Sequence, residues 1–471
     1  MSMRDEVYSL FESWGLDLPE DLNDHTPLFE SGLFDSLALF NLASWIENQV
    51  GHAVDPAQFD LRREWATVDD IVHFIERGQD SDPAHDQHGA VSAPHPATDD
   101  GYRIGKYRPE FKAQVAQLQT GLWSPDVELN TRYLEWKYER NPYGSTPPHV
   151  YLAFLRDELV GMRGFSESRW EVGSRDEMVL VADDLVIRDD HRGRGLFTRI
   201  MDAAFADLAG SGFNYAFNLS GSPINVLGSL TMGWKRVGVL DPMGTRPAGI
   251  RLRQRLRSVI RNMPAIWRFA GSPALYSRTE KRPFLRIDQV IAAGGRDETN
   301  GMTFSKQPRL PDMVELIHGQ SHDGRIRHLR DPEYLLWRYE NPLQEYRFLY
   351  LHGERFDGYI AMSRSVASHL PTGRVTVADI EARDDDSFFA LLGAAVARVR
   401  ELYVWTATMS DARRSVLNHF GFLPVDQQRT SRGCPCILVR PLSKPAKWDI
   451  DGLSLLDMNA WDIRVLYGMV A

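Results

Sequence analysis

Two short stretches of this 471-residue sequence place residues capable of chemistry at the start of a helix. In one, Asp35 and Ser36 precede a run, 37–51, with apolar residues at helical spacing and a closing glycine. In the other, the segment RGRG at 192–195 leads into an apolar helical pattern over 197–210. Glycines let the backbone turn sharply, so that amide groups and the helix dipole can converge on an anion. Both stretches predict exposed helix starts that tolerate a phosphate, although Asp-Ser alone is also an ordinary helix cap.

The composition is typical of a globular protein with several domains. Apolar residues make up 43% of the chain and charged residues 25%. The length predicts about three domains, and no apolar run approaches the roughly 18 residues of a membrane-spanning helix. The first ten residues lack the apolar centre of an export signal, so we expect a cytoplasmic location. Cys434 and Cys436 are the only cysteines, too close together to join distant segments or build a zinc site, so no metal is expected.

Charge divides the chain unevenly. Residues 1–80 contain 17 acidic and four basic side chains, whereas the net charge of the whole chain is only −10. The next segment, 81–101, is rich in Pro, His, Asp, Ala and Gly and cannot bury enough apolar surface to offset its ordering entropy. We therefore expect an acidic module joined through a flexible linker to a near-neutral remainder.

An internal repeat divides the remainder into two copies. YLEWKYERNP at 133–142 recurs as YLLWRYENP at 334–342. A strand–turn–strand pattern follows in each copy, and TMGWKRVG at 231–238 corresponds to NHFGFLPV at 418–425. Three correspondences in the same order indicate duplication of one domain of about 140 residues. Each copy combines helices and strands in an order that predicts an α/β or α+β layered fold.

The acidic module resembles the acyl and peptidyl carrier proteins. The resemblance covers residues 1–80 and rests on G-L-F-D-S-L around Ser36, inside a small acidic helical unit, followed by I-E-x-x-x-G. It implies a small all-α four-helix bundle in which Ser36 carries covalent 4′-phosphopantetheine. It also implies a phosphopantetheinyl transferase that attaches this group and an acyl- or aminoacyl-loading enzyme that supplies the thioester.

The first copy closely resembles the GNAT superfamily of acyl-CoA-dependent N-acyltransferases. The resemblance rests on the strand ADDLVI, then HRGRGLFTRIM, a further strand and NVLGSLTMGWKRVG. The family signature Arg/Gln-x-x-Gly-x-Gly/Ala matches at Arg192 and Gly195, whereas Phe197 replaces the last small residue.

The GNAT resemblance implies a set of contacts with acyl-CoA or another acyl-pantetheine. Backbone groups of one strand are expected to pair with the pantetheine amides: Leu185, Val186 and Ile187. The following loop is expected to cradle the phosphates: Arg192, Gly193, Arg194, Gly195, Leu196 and, at the altered position, Phe197. Asn218 and Asn225 are expected near the cleft where the sheet opens, or else to be structural.

The chemistry that the resemblance implies needs a proton acceptor. An alkyl amine with a pKa of about 10 must lose a proton before it attacks a thioester, and a carboxylate can take that proton. Asp183 and Asp184 are adjacent on the strand, so alternation predicts opposite faces, with only one of them in the cleft. Alternatively, both are solvated acids at a strand end. Many family members use a tyrosine as the acid for the leaving thiol where this chain has Ser229, whose hydroxyl is a poor acid.

The second copy lacks the phosphate loop. At the corresponding place, 379–393 reads DIEARDDDSFFALLG, whose acids would repel phosphate. We therefore expect a degenerate GNAT domain that either shapes the acceptor site or packs against the first copy. Between the copies, 246–282 holds ten basic residues and one acid. It could be a solvated interdomain helix, a membrane-surface helix or a docking surface for the acidic module, and the acidic net charge disfavours nucleic acid.

These features together predict a multidomain carrier–acyltransferase. It would move an acyl or aminoacyl group from a phosphopantetheine thioester, carried on Ser36 or on CoA, to an amine substrate, in the biosynthesis of a specialised metabolite. Alternatively, the GNAT domain loads the carrier thiol from acyl-CoA, or the chain is a non-catalytic carrier scaffold, which Phe197 and Ser229 would explain. The linker spans at most about 70 Å, so delivery within one chain is allowed. The expected parts are a carrier at 1–80, a linker at 81–101, a GNAT domain at 102–245, a basic segment at 246–300, a second GNAT-like domain at 301–443 and a tail at 444–471.

Overall fold

A computed structural model of the chain describes most of both copies and part of the acidic module. The described residues are 2–14, 22–28, 36–50, 54, 61–80, 101–173, 175–192, 194–220, 223–245, 283–297, 301–320, 324–367, 374–425 and 435–468. The basic segment 246–282, the predicted linker up to residue 100 and Cys434 lie outside them. No helix within these ranges has the length and apolar character needed to cross a membrane.

The described part of the acidic module contains four helices around one apolar core. They are α1 (Met3–Ser13), α2 (Ser36–Val50), α3 (Leu61–Glu64) and α4 (Val68–Asp80). Helix α1 begins with a capping box, because Ser2 and Asp5 each accept a hydrogen bond from the other's backbone amide. The core side chains without exposed surface include Val7, Phe11, Leu42, Ile46, Trp65, Ile71 and Ile75.

The first copy is built on a mixed sheet with helices on both faces. Its own strands are β1 (Tyr102–Lys106), β2 (Val150–Leu155), β3 (Glu158–Val172), β4 (Arg175–Ile187), β5 (Tyr215–Ser220) and β6 (Lys235–Val239). Its helices are α5 (Lys112–Leu118), α6 (Val127–Leu134), α7 (Leu196–Leu208) and α8 (Pro223–Thr231). One apolar core lies between the sheet and α7, and a smaller one lies between the sheet and α5.

A split opens in this sheet between its two parallel strands. Strands β4 and β5 pair only at Leu180 with Ala216 and at Val181 with Phe217. Strand β4 then continues to Ile187 without further pairing to β5. One backbone edge of β4 is therefore left without a neighbouring strand from residue 182 onward, as the GNAT resemblance implies for a pantetheine site.

The second copy also contains a mixed sheet together with helices. Its strands are β8 (Arg296–Asp297), β9 (Met302–Ser305), β10 (Arg327–His328), β11 (Gln344–His352), β12 (Phe356–Ser365), β13 (Val375–Ala382), β14 (Leu402–Trp405) and β15 (Phe422–Pro424). Its helices are α9 (Leu285–Ala292), α10 (Leu310–Gly319), α11 (Pro332–Tyr339), α12 (Asp385–Arg398) and α13 (Asp411–His419). The parallel strands β13 and β14 likewise pair at only two positions, ending at Thr376 with Tyr403.

The two sheets exchange a strand. Strand β7 (Pro242–Thr245) leaves the first copy and lies between β14 and β15 of the second sheet. In return, β16 (Cys436–Pro441) lies between β5 and β6 of the first sheet. Strand β10 adds a second crossing, because it pairs with β3. Neither sheet is therefore made only of residues between the boundaries expected for its copy.

The repeated motif meets itself at the centre of the interface between the copies. The indole rings of Trp136 and Trp337 stack with centroids 4.5 Å apart and an interplanar angle of 9°. Each indole Nε1 donates to the backbone carbonyl of the other tryptophan, at 2.6 and 2.7 Å. Equivalent residues in contact with each other indicate that the copies are related by a pseudo-two-fold axis passing between these rings.

The C-terminal tail packs into the same interface. It forms a short hairpin, β17 (Asp449–Ile450) and β18 (Leu453–Ser454), and continues to Gly468. The fully buried Trp461 packs edge to face on Trp170 and Phe217 of the first copy. Arg338 of the second copy donates to the carbonyls of Leu466 and Gly468, at 2.8 and 2.6 Å. The tail thus joins the two copies.

Candidate functional site

A β-bulge marks the split edge of β4. Met162 of β3 pairs with Val186, and the next pair is Gly164 with Asp183, so β4 holds one residue more than β3 in this interval. Within the bulge Asp184 has a φ of 52°, in the left-handed region that few residues other than glycine adopt. The irregularity lies where β4 has already separated from β5.

The bulge brings both predicted carboxylates to one lysine. Lys137 Nζ lies 2.7 Å from Asp183 Oδ2 and 3.0 Å from Asp184 Oδ1, and the lysine side chain has no exposed surface. The prediction that the two aspartates point to opposite faces is therefore wrong. Regular alternation requires a regular strand, and the extra residue with positive φ interrupts it.

Asp184 is enclosed by hydrogen-bond donors. Tyr138 donates its hydroxyl to Oδ2 at 2.7 Å, and Trp123 donates its indole N–H to Oδ1 at 3.2 Å. The side chain of Asp184 is fully buried, whereas that of Asp183 is 29% exposed. Of the two carboxylates, only Asp183 is open to a small molecule.

The pKa values of the two carboxyl groups move in opposite directions. Burial acts to raise the pKa of Asp183, but the Lys137 ammonium more than offsets it and holds that pKa below its ordinary value. Burial, together with the neighbouring charge of Asp183, raises the pKa of Asp184 although Lys137 opposes this. Asp183 is thus the accessible member of the pair, and its surroundings favour its ionised form.

A glycine makes room for this network. Gly164 lies opposite Asp183 on β3, and a Cβ added to it would stand 1.8 Å from the Tyr138 hydroxyl oxygen. No side chain fits there without displacing Tyr138 from Asp184.

The segment 192–197, which is expected to cradle the phosphates and is called the anion loop below, lies at the N-terminus of α7. Gly195 is the N-cap residue of that helix with φ 65°, and a Cβ added to it would meet no described atom within 4 Å beyond its own chain neighbours, so no other part of the described chain packs against it on that side. Arg192 is half-exposed and pairs with Asp189 at 2.7 Å. Gly193 lies outside the described residues. An open helix N-terminus beside exposed guanidinium groups fits a pyrophosphate such as that of CoA.

Phe197 does not face this loop. Together with Leu196 it is buried in the apolar core beneath α7, where it joins Ile200 and Phe165. Its size therefore fills the core and takes no space from an anion at the helix start.

The other predicted positions line the two sides of the split. On β4, Leu185 and Ile187 lean on the core beneath α7, whereas Val186 packs on the α5 side. On β5, Asn218 is buried and pairs with Leu438 of β16. Asn225 is half-buried and Ser229 is buried, both on α8.

The acidic module packs against α8. Helices α2 and α3 both contact α8, and Leu227 of α8 belongs to the apolar core of the module. Leu230 touches that core and the core beneath α7 as well. Helix α2 begins at Ser36, in agreement with the predicted helix start. The module therefore packs on α8, the helix that follows strand β5 at one side of the split.

The second copy has a cavity at its own split. It encloses about 330 Å³ between β13, β14, the start of α12 and the tail. Asp379 and Arg464 line it and belong to a buried ion-pair cluster, in which Arg330 and Arg464 contact Asp379 at 3.1 and 3.0 Å. At the start of α12, the side chain of Asp384 accepts from the amide of Ser387, so a carboxylate occupies the place of a phosphate.

Sequence reasoning missed Lys137, Tyr138 and Trp123. A signal was present, because Lys137 lies inside the repeated aromatic motif at the position of Arg338. A cation at the same place in both copies, among large apolar residues, indicates a buried charge that needs hydrogen-bond acceptors or an anionic partner.

Family models match two separate parts of the chain. Residues 11–75 match the family described as phosphopantetheine attachment site, and residues 114–223 match the acetyltransferase (GNAT) family. The chain therefore contains a phosphopantetheine attachment domain, followed by a domain of the acetyltransferase (GNAT) family. Both resemblances stated from the sequence are confirmed.

Three solved structures are weakly similar to this chain. A probable N-acyltransferase from Enterococcus faecalis is 11% identical, with 72% of each chain covered and a TM-score of 0.45. A GCN5-related N-acetyltransferase from Anabaena variabilis is 10% identical, with 73% of each chain covered and a TM-score of 0.44. Saccharomyces cerevisiae N-myristoyltransferase with bound myristoyl-CoA is 10% identical, covering 90% of this chain and 100% of that chain, with a TM-score of 0.47. Likeness at this level carries no inference about substrate, and none of the curated proteins compared matches the sequence.

Proposed function

We propose that this chain transfers an acyl or aminoacyl group from a phosphopantetheine thioester to an amine, in the biosynthesis of a specialised metabolite. The observation that carries the proposal is the packing of α2, which begins at Ser36, against α8 of the GNAT domain. A carrier domain that packs on the GNAT domain can deliver its acyl cargo to the split at β4 within the same chain, so that no second protein is needed as carrier. Tethering raises the effective concentration of that cargo to the order of mM.

Asp183 is the proposed proton acceptor. The 4′-phosphopantetheine arm, when attached to Ser36, supplies an activated thioester. Asp183 is ionised and accessible beside the split, so it can take the proton that the attacking ammonium must lose. Lys137 and Asp184 hold Asp183 in place, and the open start of α7 would hold the phosphates of a CoA donor.

Replacement of Asp183 tests this role. Asp183→Asn keeps the hydrogen-bonding shape but cannot accept a proton, so kcat should fall by about 100- to 10,000-fold. Binding of acyl-CoA, measured by calorimetry, should be unchanged. Asp157→Asn, in the exposed turn between β2 and β3, is the matched control. Equal activity of the two variants would remove Asp183 from the mechanism.

The direction of transfer is tested by intact mass. The proposal has cargo leave the Ser36 arm when an amine is added, and Ser36→Ala should abolish product. The alternative, in which the GNAT domain loads its own carrier, has acyl-CoA alone add an acyl mass to the holo-protein without a loading enzyme. Appearance of that mass would reverse the assigned direction.

The alternative of a non-catalytic scaffold was based on Phe197 and Ser229. Phe197 does not support it, because this residue is buried beneath α7 and does not obstruct the anion loop. Ser229 remains compatible with catalysis if the thiolate leaves unassisted. The second copy, with an acidic start to α12, is proposed as a degenerate GNAT domain whose main role is to complete the first sheet through β16.

A further inference from the structure

One buried arginine beside the split has no anionic partner. Arg163 of β3 is 2% exposed, and its Nε has no hydrogen-bond partner. Among the described residues the guanidinium makes no hydrogen bond and no ion pair, and its Cζ lies 5.7 Å from the centroid of the Phe165 ring. Other buried arginines of the described chain differ in this respect, since Arg330, Arg338 and Arg464 each contact a carboxylate, a carbonyl or a hydroxyl.

The position of Arg163 is set by the register of the sheet. It lies between Met162 and Gly164, whose partners on β4 are Val186 and Asp183, so it stands opposite the bulge. Neighbouring residues of a strand point to opposite faces. Gly164 faces Tyr138 and Asp183, and Arg163 therefore faces α7.

Contacts of the adjacent odd-numbered positions support this orientation. A Cβ on Gly161 would lie 3.4 Å from the side chain of Ile200 on α7, and Phe165 packs on Phe205 of the same helix. The guanidinium is thus on the α7 side of the split edge, across the strand from the proposed proton acceptor.

An unpaired buried guanidinium is costly to a folded protein. Removing such a charge from water is repaid only where an opposite charge meets it with good geometry. Burial lowers the pKa of Arg163, and the carboxylate of Asp183, which is not in contact with the guanidinium, opposes this. Asp183 and Asp184 already share Lys137, so neither serves as its partner.

The phosphates of a donor do not reach this place. They belong at the start of α7, beyond Ile187, and the bulge lies two to three residues back along β4. At about 3.3 Å per residue, the bulge lies roughly 7–10 Å from the start of α7, closer to the point where β4 and β5 separate. The thioester of a donor is expected at that distance from its phosphates.

We propose that Arg163 binds a carboxylate on the transferred acyl group, so that the cargo is a dicarboxylic acid held as a half-thioester or another acyl group with its own carboxylate. This inference rests on the proposed function. The amine approaches from the face of the sheet that carries Asp183. The acyl chain extends to the opposite face, beneath α7, where its carboxylate pairs with Arg163. Arg163 acts as a specificity residue and takes no proton.

The experiment measures binding of two CoA thioesters of nearly equal size to the full-length protein. Succinyl-CoA ends in a carboxylate and butyryl-CoA ends in a methyl group. The native protein should bind succinyl-CoA about 10- to 100-fold more tightly by calorimetry, as a charge-assisted pair requires. Arg163→Met should lose this preference and bind butyryl-CoA as before.

Two further measurements keep the result decisive. Arg169→Met removes an exposed arginine of the same strand and should retain the preference. Unfolding of ligand-free Arg163→Met should occur at the same temperature as that of the native protein or higher, because a buried unpaired charge has been replaced by an apolar side chain. Failure of both thioesters to bind the native protein would count against the proposed function itself. Binding of both with equal affinity, or a lower unfolding temperature of Arg163→Met with its preference retained, would overturn the role of Arg163.

Discussion

At the scale of single residues, Lys137 determines the charge state of the site. It is the cation in contact with both carboxylates, and its side chain is fully buried. Without it, two adjacent acids would be enclosed with no cation in contact. The same residue type at the surface would matter far less, because water screens exposed pairs.

Lys137→Met should produce a protein whose stability deficit depends on pH. Loss of the lysine raises the folded-state pKa of both carboxyl groups, and a raised folded pKa gives stability that is present at low pH and lost as the pH rises through it. We expect a loss of about 3–5 kcal/mol at pH 8 and a smaller one at pH 5, measured by denaturant unfolding. Lys112→Met, at a partly exposed lysine with two carboxylate partners, should cost less than about 1 kcal/mol. An equal deficit at both pH values would disprove the assigned coupling.

The sequence identified Asp183 and Asp184 but not their arrangement. The sequence shows directly that two acidic residues precede the anion loop. Their orientation, however, depends on a bulge that arises from the register between β3 and β4. The burial of Arg163 could not be predicted from the sequence either, because a single arginine in a strand is usually exposed. Burial and the absence of a partner are properties of the packed sheet alone.

At the scale of elements, strand β3 carries two glycines with different constraints. Gly164→Ala should displace Tyr138 and destabilise the protein by about 1–3 kcal/mol, because the new Cβ would lie 1.8 Å from the tyrosine hydroxyl. Gly161→Ala is the matched control, since its nearest contacts would be ordinary ones at 3.4 Å with Ile187 and Ile200. Thermal unfolding of both variants measures the difference. Equal unfolding temperatures would show that Tyr138 can move freely.

Helix α8 is the element that connects carrier and enzyme. Leu227→Glu should separate the acidic module from α8, since the new carboxylate would have to be buried in an apolar core. We expect a larger radius of gyration by X-ray scattering and transfer from the Ser36 arm slowed about tenfold or more, with turnover of free acyl-CoA unchanged. Leu336→Glu, at a half-exposed leucine of α11, is the control. Unaltered transfer from the arm would mean that docking on α8 plays no part in delivery.

At the scale of the whole molecule, the sequence predicted the duplication but not the exchange. Residues 133–142 and 334–342 predict two copies because both contain the same aromatic residues in the same order. Which sheet receives β7 and β16 depends on long-range pairing, and local patterns carry no signal for it. The two tryptophans of the motif stack at the interface, and each indole donates to a backbone carbonyl of the other copy.

The exchange predicts that neither copy folds alone. Without β16 the first sheet would lose Ile437, Leu438 and Val439, all fully buried and each contributing about 1.5–3 kcal/mol. That loss is comparable to the whole stability of a typical domain, about 5–15 kcal/mol. A fragment of residues 102–245 should therefore be insoluble or unfolded by circular dichroism. By contrast, the full chain cut once at a protease site placed between 246 and 282 should keep both pieces together in gel filtration and unfold in one transition, because each piece supplies a strand to the other's sheet. Separation of the cut pieces into two folded units would refute the exchange.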